Sequence, residues 1–181
     1  MFRLSDAAQT YLLKVARTTI SVYLKSKTKP DIPSSCLQEI QQKRGVFVSL
    51  YRNETLCGCV GYAHSLTPLV QGVTECVLSA VEDKRFTKLN FSELSATKIE
   101  LSVLSEFEKI QFPSEIEIGR HGLIVSYGAK RGLLLPKVAT ENGWNQKEFL
   151  EQTCYKAGLP LAVWKNGAEI ERFTALVFRE N

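Results

Sequence analysis

The hexapeptide Leu56-Cys57-Gly58-Cys59-Val60-Gly61 places two thiols and two glycines inside a run that otherwise reads as a buried strand. Glycine in a strand interior gives up packing surface and pairing strength. A pair flanking Cys59 therefore marks a place where another backbone, a side chain or a ligand comes close. A thiol at such a place becomes a nucleophile when its thiolate is stabilised, and the groups able to do this are His121, set between Arg120 and Gly122, and Arg85. His121 is one of two histidines in the chain. Its neighbours Gly119 and Gly122 imply a loop backbone that aims a side chain. The chemistry available to this set is transfer or covalent catalysis through Cys59, with His121 as the group that takes a proton near neutral pH. Leu56, Cys57, Gly58, Val60, Gly61, Asp83, Arg85 and Arg120 are then the residues around the substrate.

Each of these residues also has a plainer reading. Free cysteine is among the most buried residue types, so Cys59 reads as packing when no base is near it. His121 reads as a loop histidine bonded to a backbone carbonyl, and Asp83 with Arg85 reads first as an ion pair that holds the hexapeptide from the end of a helix. A zinc or copper centre made of Cys57, Cys59, His64 and His121 is set aside. A Cys-x-Cys pair without a second ligand pair lacks zinc-finger or zinc-ribbon spacing, and His64 falls in a loop. No cofactor is assigned. A Ser-His-Asp arrangement, a Gly-rich phosphate loop and a Gly-x-Gly-x-x-Gly fingerprint are absent from the sequence.

The five cysteines, Cys36, Cys57, Cys59, Cys76 and Cys154, are an odd number without framework spacing, which fits reduced thiols in a cytosol. A Cys57–Cys59 bridge is a poor fit, because two rises of about 3.3 Å separate their Cα atoms by roughly 6.6 Å in an extended strand. The net charge of +4 is scattered. Its local clusters at Lys25 to Lys29 and Lys130-Arg131 have no interleaved aromatic residues, so no specific nucleic-acid partner is expected. Met1 to Asp6 carry no signal-peptide pattern, and no run approaches the roughly 20 apolar residues that cross a bilayer. A cytoplasmic protein without a membrane partner is expected.

The elements that must position these residues follow from periodicity. Ser5 caps a helix whose apolar positions are Ala8, Leu12, Val15, Ala16, Ile20, Tyr23 and Leu24, and which ends in the lysine cluster. Pro30 to Ser35 is a loop, and Leu37 and Ile40 belong to one short helix that Gly45 stops. Val46 to Tyr51 and the hexapeptide form an antiparallel hairpin about Arg52-Asn53-Glu54. Thr67 caps a second helix with Pro68 at its first position, and Cys76 packs on that helix's apolar face. Asp83-Lys84-Arg85-Phe86 ends it. Ile99 to Val103 is a strand, Ile116 to Ile118 a very short one, and Leu123 to Tyr127 with Gly132 to Leu135 a second hairpin that Pro136 closes. Asn145 and Glu148 open a third helix by a capping box; Phe149, Leu150, Cys154 and Ala157 are its buried face, and Trp144 and Trp164 staple it to the body. Ala168 to Phe178 is a final strand with imperfect alternation.

The order of Gly45-Val46-Phe47-Val48, the hexapeptide, Asp83-Lys84-Arg85-Phe86, Leu101-Ser102-Val103-Leu104, Ile118-Gly119-Arg120-His121-Gly122-Leu123, Leu134-Leu135-Pro136 and Cys154-Tyr155-Lys156-Ala157-Gly158-Leu159 resembles the AMMECR family. The match covers essentially the whole chain. The family pattern at the hexapeptide is Leu-Arg-Gly-Cys-Ile-Gly, so Cys59 matches and Cys57 stands in place of arginine. Lys137 stands where glutamine is usual. The resemblance implies one AMMECR-type domain over residues 1–181, with an α+β fold of two subdomains, the larger holding both termini. Each subdomain has an antiparallel sheet packed by helices, and the hexapeptide faces a cleft between them. It also implies an association with Memo-type and radical S-adenosylmethionine proteins in a modification or biosynthetic task. The protein is then either an enzyme or accessory subunit that binds a substrate, a protein or peptide among the options, or a non-catalytic adaptor that docks a peptide.

Overall fold

The computed structural model describes residues 3–32, 37–64 and 66–180. Cys36 and the Pro33 to Ser35 part of the expected loop lie outside them. The elements in chain order are α1 (Asp6–Ser26), β1 (Val46–Arg52), β2 (Thr55–Tyr62), α2 (Leu69–Val81), β3 (Thr97–Leu104), β4 (Glu108–Ile110), β5 (Gly122–Tyr127), β6 (Lys130–Leu134), α3 (Pro136–Glu141), α4 (Gln146–Lys156), β7 (Glu169–Phe173) and β8 (Ala175–Arg179). They form two four-stranded sheets, β2-β1-β3-β8 and β4-β7-β5-β6, with antiparallel neighbours throughout. This is the α+β class that the alternating segments predict. The chain divides into a first unit, Met1–Leu104 with Leu176–Asn181, and a second, Ser105–Ala175.

In the first unit the Ser5 hydroxyl caps α1 by accepting the Ala8 N–H at 3.3 Å. Leu12, Val15, Ala16 and Ile20 recur at helical spacing and are buried, so one stripe of α1 faces the core. Lys27 ends the helix at φ 58° and returns its N–H to the Tyr23 carbonyl. The β1–β2 hairpin turns on Asn53 and Glu54 at φ 48° and 62°. Two successive left-handed residues match the twist of the strands they join. α2 packs across β1 and β2, starting one residue later than the sequence predicts. Pro68 stays extended at ψ 147° as the cap, and its carbonyl takes the Gly72 N–H.

In the second unit Asn145 and Glu148 form the predicted capping box, with bonds of 3.0 and 2.9 Å. Phe149, Leu150 and Cys154 of α4 meet Leu123, Val125 and Ile170 of the sheet in a separate core, against which Trp144 and Trp164 are half-buried. Ser105 and Thr174, where the chain enters and leaves this unit, exchange two hydrogen bonds of 2.9 Å.

Four local expectations change. Ile116 to Ile118 is not a strand but loop after a 3-10 turn at Pro113–Glu115, with Ile116 buried and Ile118 partly buried against the same core. The edge strand is β4, whose three residues are too few for alternation to reveal. Pro136 does more than end β6; it opens α3, where its missing N–H costs nothing. The segment around Leu37 and Ile40 is a 3-10 turn, Gln38–Gln41, that ends before Gly45. The imperfect alternation of Ala168 to Phe178 has a structural cause: it is two strands, β7 in one sheet and β8 in the other, broken at Thr174. β8 alternates, with Val177 and Arg179 exposed between partly buried neighbours, whereas β7 buries Ile170 on one face and Phe173 on the other.

α2 approaches β2 so closely that a Cβ on Gly58 would lie 2.4 Å from the Ala80 carbonyl oxygen. That oxygen is backbone and cannot swing away. Gly58→Ala is therefore expected to cost about 3 kcal/mol, toward the upper end of ordinary overpacking penalties, read as a lowered urea midpoint with an unchanged slope.

Candidate functional site

The hairpin register decides which side of the sheet each hexapeptide residue occupies. From the turn, Arg52 pairs with Thr55 and Tyr51 with Leu56; Leu50 then pairs with Gly58, and Ser49 with Cys59. Cys57 is the extra residue of a β-bulge. Cross-strand partners share a face, so Leu50 and Gly58 point to the core under α2, while Tyr51, Ser49 and Phe47 share the outer face with Leu56, Cys59 and Gly61. Cys57 and Val60 pack against the core. Burial raises the Cys57 thiol above its ordinary value, with the Arg52 guanidinium pulling the other way. Cys59 is half-buried on the opposite face, where the hydroxyl of the fully buried Ser49 donates to its Sγ at 3.5 Å.

The Cys59 backbone faces away from β1 and is met by the turn that follows α2. Asp83 Oδ2 accepts the Cys59 N–H at 3.3 Å, and Arg85 Nη2 donates to the Cys59 carbonyl at 2.6 Å. The two side chains also hold each other. Asp83 Oδ1 takes the Arg85 backbone N–H at 3.2 Å and Nε at 2.9 Å, and Oδ2 takes Nη2 at 2.6 Å. The Asp83 side chain is only 6% exposed and that of Arg85 is 62% exposed, so one end of the pair is fixed in the fold and the other lies at the surface. The hydrogen bonds from Arg85 hold the Asp83 carboxyl at about 2, against a desolvation that pushes it up.

His121 belongs to the second unit. Its Nδ1 accepts the Glu117 N–H at 3.0 Å, and its own backbone N–H returns to the Glu117 carbonyl at 2.9 Å. The imidazole thus closes the turn that carries Gly119 at φ 84°. Because a backbone N–H can only donate, Nδ1 is the lone-pair nitrogen, and the neutral ring carries its proton on Nε2. Burial, with Arg172 nearby, pulls the ring below its ordinary value. Arg120 is spent on Glu117, at 2.8 and 3.0 Å to the two carboxylate oxygens. Gly122 is required because a Cβ there would lie 2.3 Å from the Phe173 ring.

The AMMECR1 family model matches residues 13–178. The chain belongs to the AMMECR1 family. A protein of Thermococcus onnurineus is 39% identical over 192 residues, covering 99% of this chain and 94% of the relative. Protein MK0488 of Methanopyrus kandleri is 42% identical, covering 94% and 87%. The crystal structure of the uncharacterized protein PH0010 from Pyrococcus horikoshii is similar at a TM-score of 0.92 with 38% identity, covering 99% of this chain and 95% of that one.

In this AMMECR1-family protein, Cys59, Asp83 and Arg85 meet at one point of the first unit, and His121 and Arg120 share a turn of the second. Among the described residues, no group of three or more His, Cys, Asp or Glu side chains is gathered for a metal ion. Both hexapeptide glycines are accounted for within the fold: Gly58 by the Ala80 carbonyl and Gly61 by the Phe47 ring, 2.3 Å from where its Cβ would lie. Sequence reasoning missed Ser49. A two-residue turn without a bulge places Ser49 opposite Gly58, and only the extra residue at Cys57 moves it opposite the thiol.

Replacing Asp83 tests the clamp. Asp83→Asn is expected to cost about 2 kcal/mol at neutral pH, the scale of a charged hydrogen bond in a buried place. The wild-type carboxyl is depressed in the folded state, so its advantage is full above its ordinary value of 3.8 and is lost as pH falls through about 2. Urea melts of the two proteins at pH 7 and in steps below pH 4 should converge.

Proposed function

We propose that this protein is an enzyme, or an accessory subunit of one, that takes its substrate on the outer face of β2 and meets it with the Cys59 thiol. The observation that carries the reading is the bracing of the Cys59 backbone, N–H to Asp83 and carbonyl to Arg85. On an open strand edge those two groups face water and the strand frays. Here the N–H is tied to the buried Asp83 carboxylate and the carbonyl to the Arg85 guanidinium, which limits Sγ to its rotamers, as a reacting atom requires. The Ser49 hydroxyl donates to Sγ at 3.5 Å and so helps to fix its orientation on the outer face.

Asp83 is ionised throughout the neutral range and serves as a brace, not a base. His121 can take a proton on Nδ1 only by giving up the Glu117 N–H, so its part in this reading is to shape the Glu117 to Gly122 turn. The proton acceptor for Cys59 then comes with the substrate or with a partner. The Memo-type and radical S-adenosylmethionine proteins that the resemblance implies are the partner class to try first, by co-elution of the purified proteins.

Alkylation with iodoacetamide at pH 7, followed by peptide mapping, tests the thiol. Cys59 should be modified first among Cys57, Cys59, Cys76 and Cys154 in the native protein, and the four should level out in urea. Cys76 and Cys154 are fully buried, and burial pushes the Cys76 thiol up to about 12. A native Cys59 that stays unmodified while Cys57 or Cys154 is labelled would overturn the proposal in favour of a packing cysteine in an adaptor protein.

A further inference from the structure

α1 and the chain that follows it enclose a pocket of about 140 Å³, lined by Tyr11, Val15 and Thr19 on the helix and by Pro30 and Ile32 beyond its end. Its walls are mainly carbon: Val15 is buried, and Tyr11 and Ile32 are partly buried against the core of the first unit. Lys14 and Asp31, both exposed, bring opposite charges to its rim. Thr19 is the polar exception. It is 1% exposed, and its hydroxyl oxygen is closed to water and has no hydrogen-bond partner among the described residues. Thr74 in α2 and Thr153 in α4 are as deeply buried, and each donates to the carbonyl four residues back, Val70 at 3.0 Å and Phe149 at 2.7 Å. Thr19 makes no such bond to its own helix. Threonine in a helix has two favoured χ1 rotamers, so a single rotation exchanges its methyl and hydroxyl at the pocket wall. An unpaired buried hydroxyl is costly, and a ligand group within its reach removes that cost.

We propose that this pocket binds a small uncharged molecule of one ring carrying one hydroxyl, with the ring against Tyr11, Val15 and Ile32 and the hydroxyl on Thr19 Oγ1. Size selects the ring, since an apolar cavity of about 150 Å³ holds benzene. Chemistry selects the rest. A charged group inside would meet only a neutral hydroxyl and stay unpaired, and the opposite signs of Lys14 and Asp31 leave no net attraction for an ion at the mouth. A hydroxyl both donates and accepts, as that of Thr19 does, so the two can pair in either direction. The pocket shares no residue with the Cys59 site.

Methyl-detected NMR titration of the whole chain with phenol tests this, with toluene as a ring of like size that lacks the hydroxyl. Phenol should shift the Val15, Thr19 and Ile32 methyl signals along one saturable curve and bind about fivefold tighter than toluene, the share of one hydrogen bond. Thr19→Val keeps the side-chain shape and removes the unpaired hydroxyl, so the variant should fold and bind the two probes alike. Phenol shifts that do not saturate, that miss these three residues or that show no preference over toluene would overturn the proposal. So would a folded Thr19→Val that keeps the wild-type preference for phenol, because the partner of the ligand hydroxyl would then lie elsewhere.

Discussion

The carboxylate of Asp83 receives four N–H donors, one from the Cys59 backbone and three from Arg85, at a position almost closed to water. A charge so placed is tolerated only when its hydrogen bonds are complete, and loss of any partner leaves part of the desolvation penalty uncompensated. The arrangement therefore ties the turn after α2, through both Asp83 and Arg85, to the edge of β2, in addition to the packing of α2 on that strand. It also holds the end of α2 in the position from which the Ala80 carbonyl excludes any side chain at Gly58. Helix, glycine and edge strand are one mutual constraint.

That constraint changes the meaning of the hexapeptide. Gly58 and Gly61 look in sequence like room left for a ligand, yet the space beside each is taken by the protein itself, a backbone oxygen at one and an aromatic ring at the other. Cys57 and Val60 turn toward the core. Cys59 is left as the thiol on the outer face, with a buried hydroxyl on its sulfur and both main-chain groups tied down. The turn at His121 shows the same economy in the second unit: Gly119 supplies the left-handed residue, Gly122 makes way for Phe173, and the imidazole closes the loop by accepting from Glu117.

Family membership and fold similarity are strong over nearly the full length, with a TM-score of 0.92 to PH0010. The fold alone does not carry an activity, which has to be argued from particular groups and their geometry. In this chain the groups proposed for that part are the thiol, the hydroxyl opposite it and the carboxylate–guanidinium pair behind it. Cys57 lies at the bulge with its thiol raised by burial, next to the Arg52–Glu93 ion pair rather than on the face of Cys59.

The sequence by itself determined the capped helices at Ser5 and Asn145, both hairpins and the antiparallel α+β class. Each of these is written in contacts between residues a few positions apart, where periodicity and turn chemistry are decisive. Tertiary structure alone decided the rest. The division of Ala168 to Phe178 between two sheets, the bulge that turns Cys57 inward and brings Ser49 to the thiol, and the capture of the Cys59 backbone by Asp83 all join residues through partners that local pattern does not specify. Strand register is a property of a pair of strands, and a hydrogen bond to an edge is a property of whatever folds beside it, so neither exists until the chain has closed on itself.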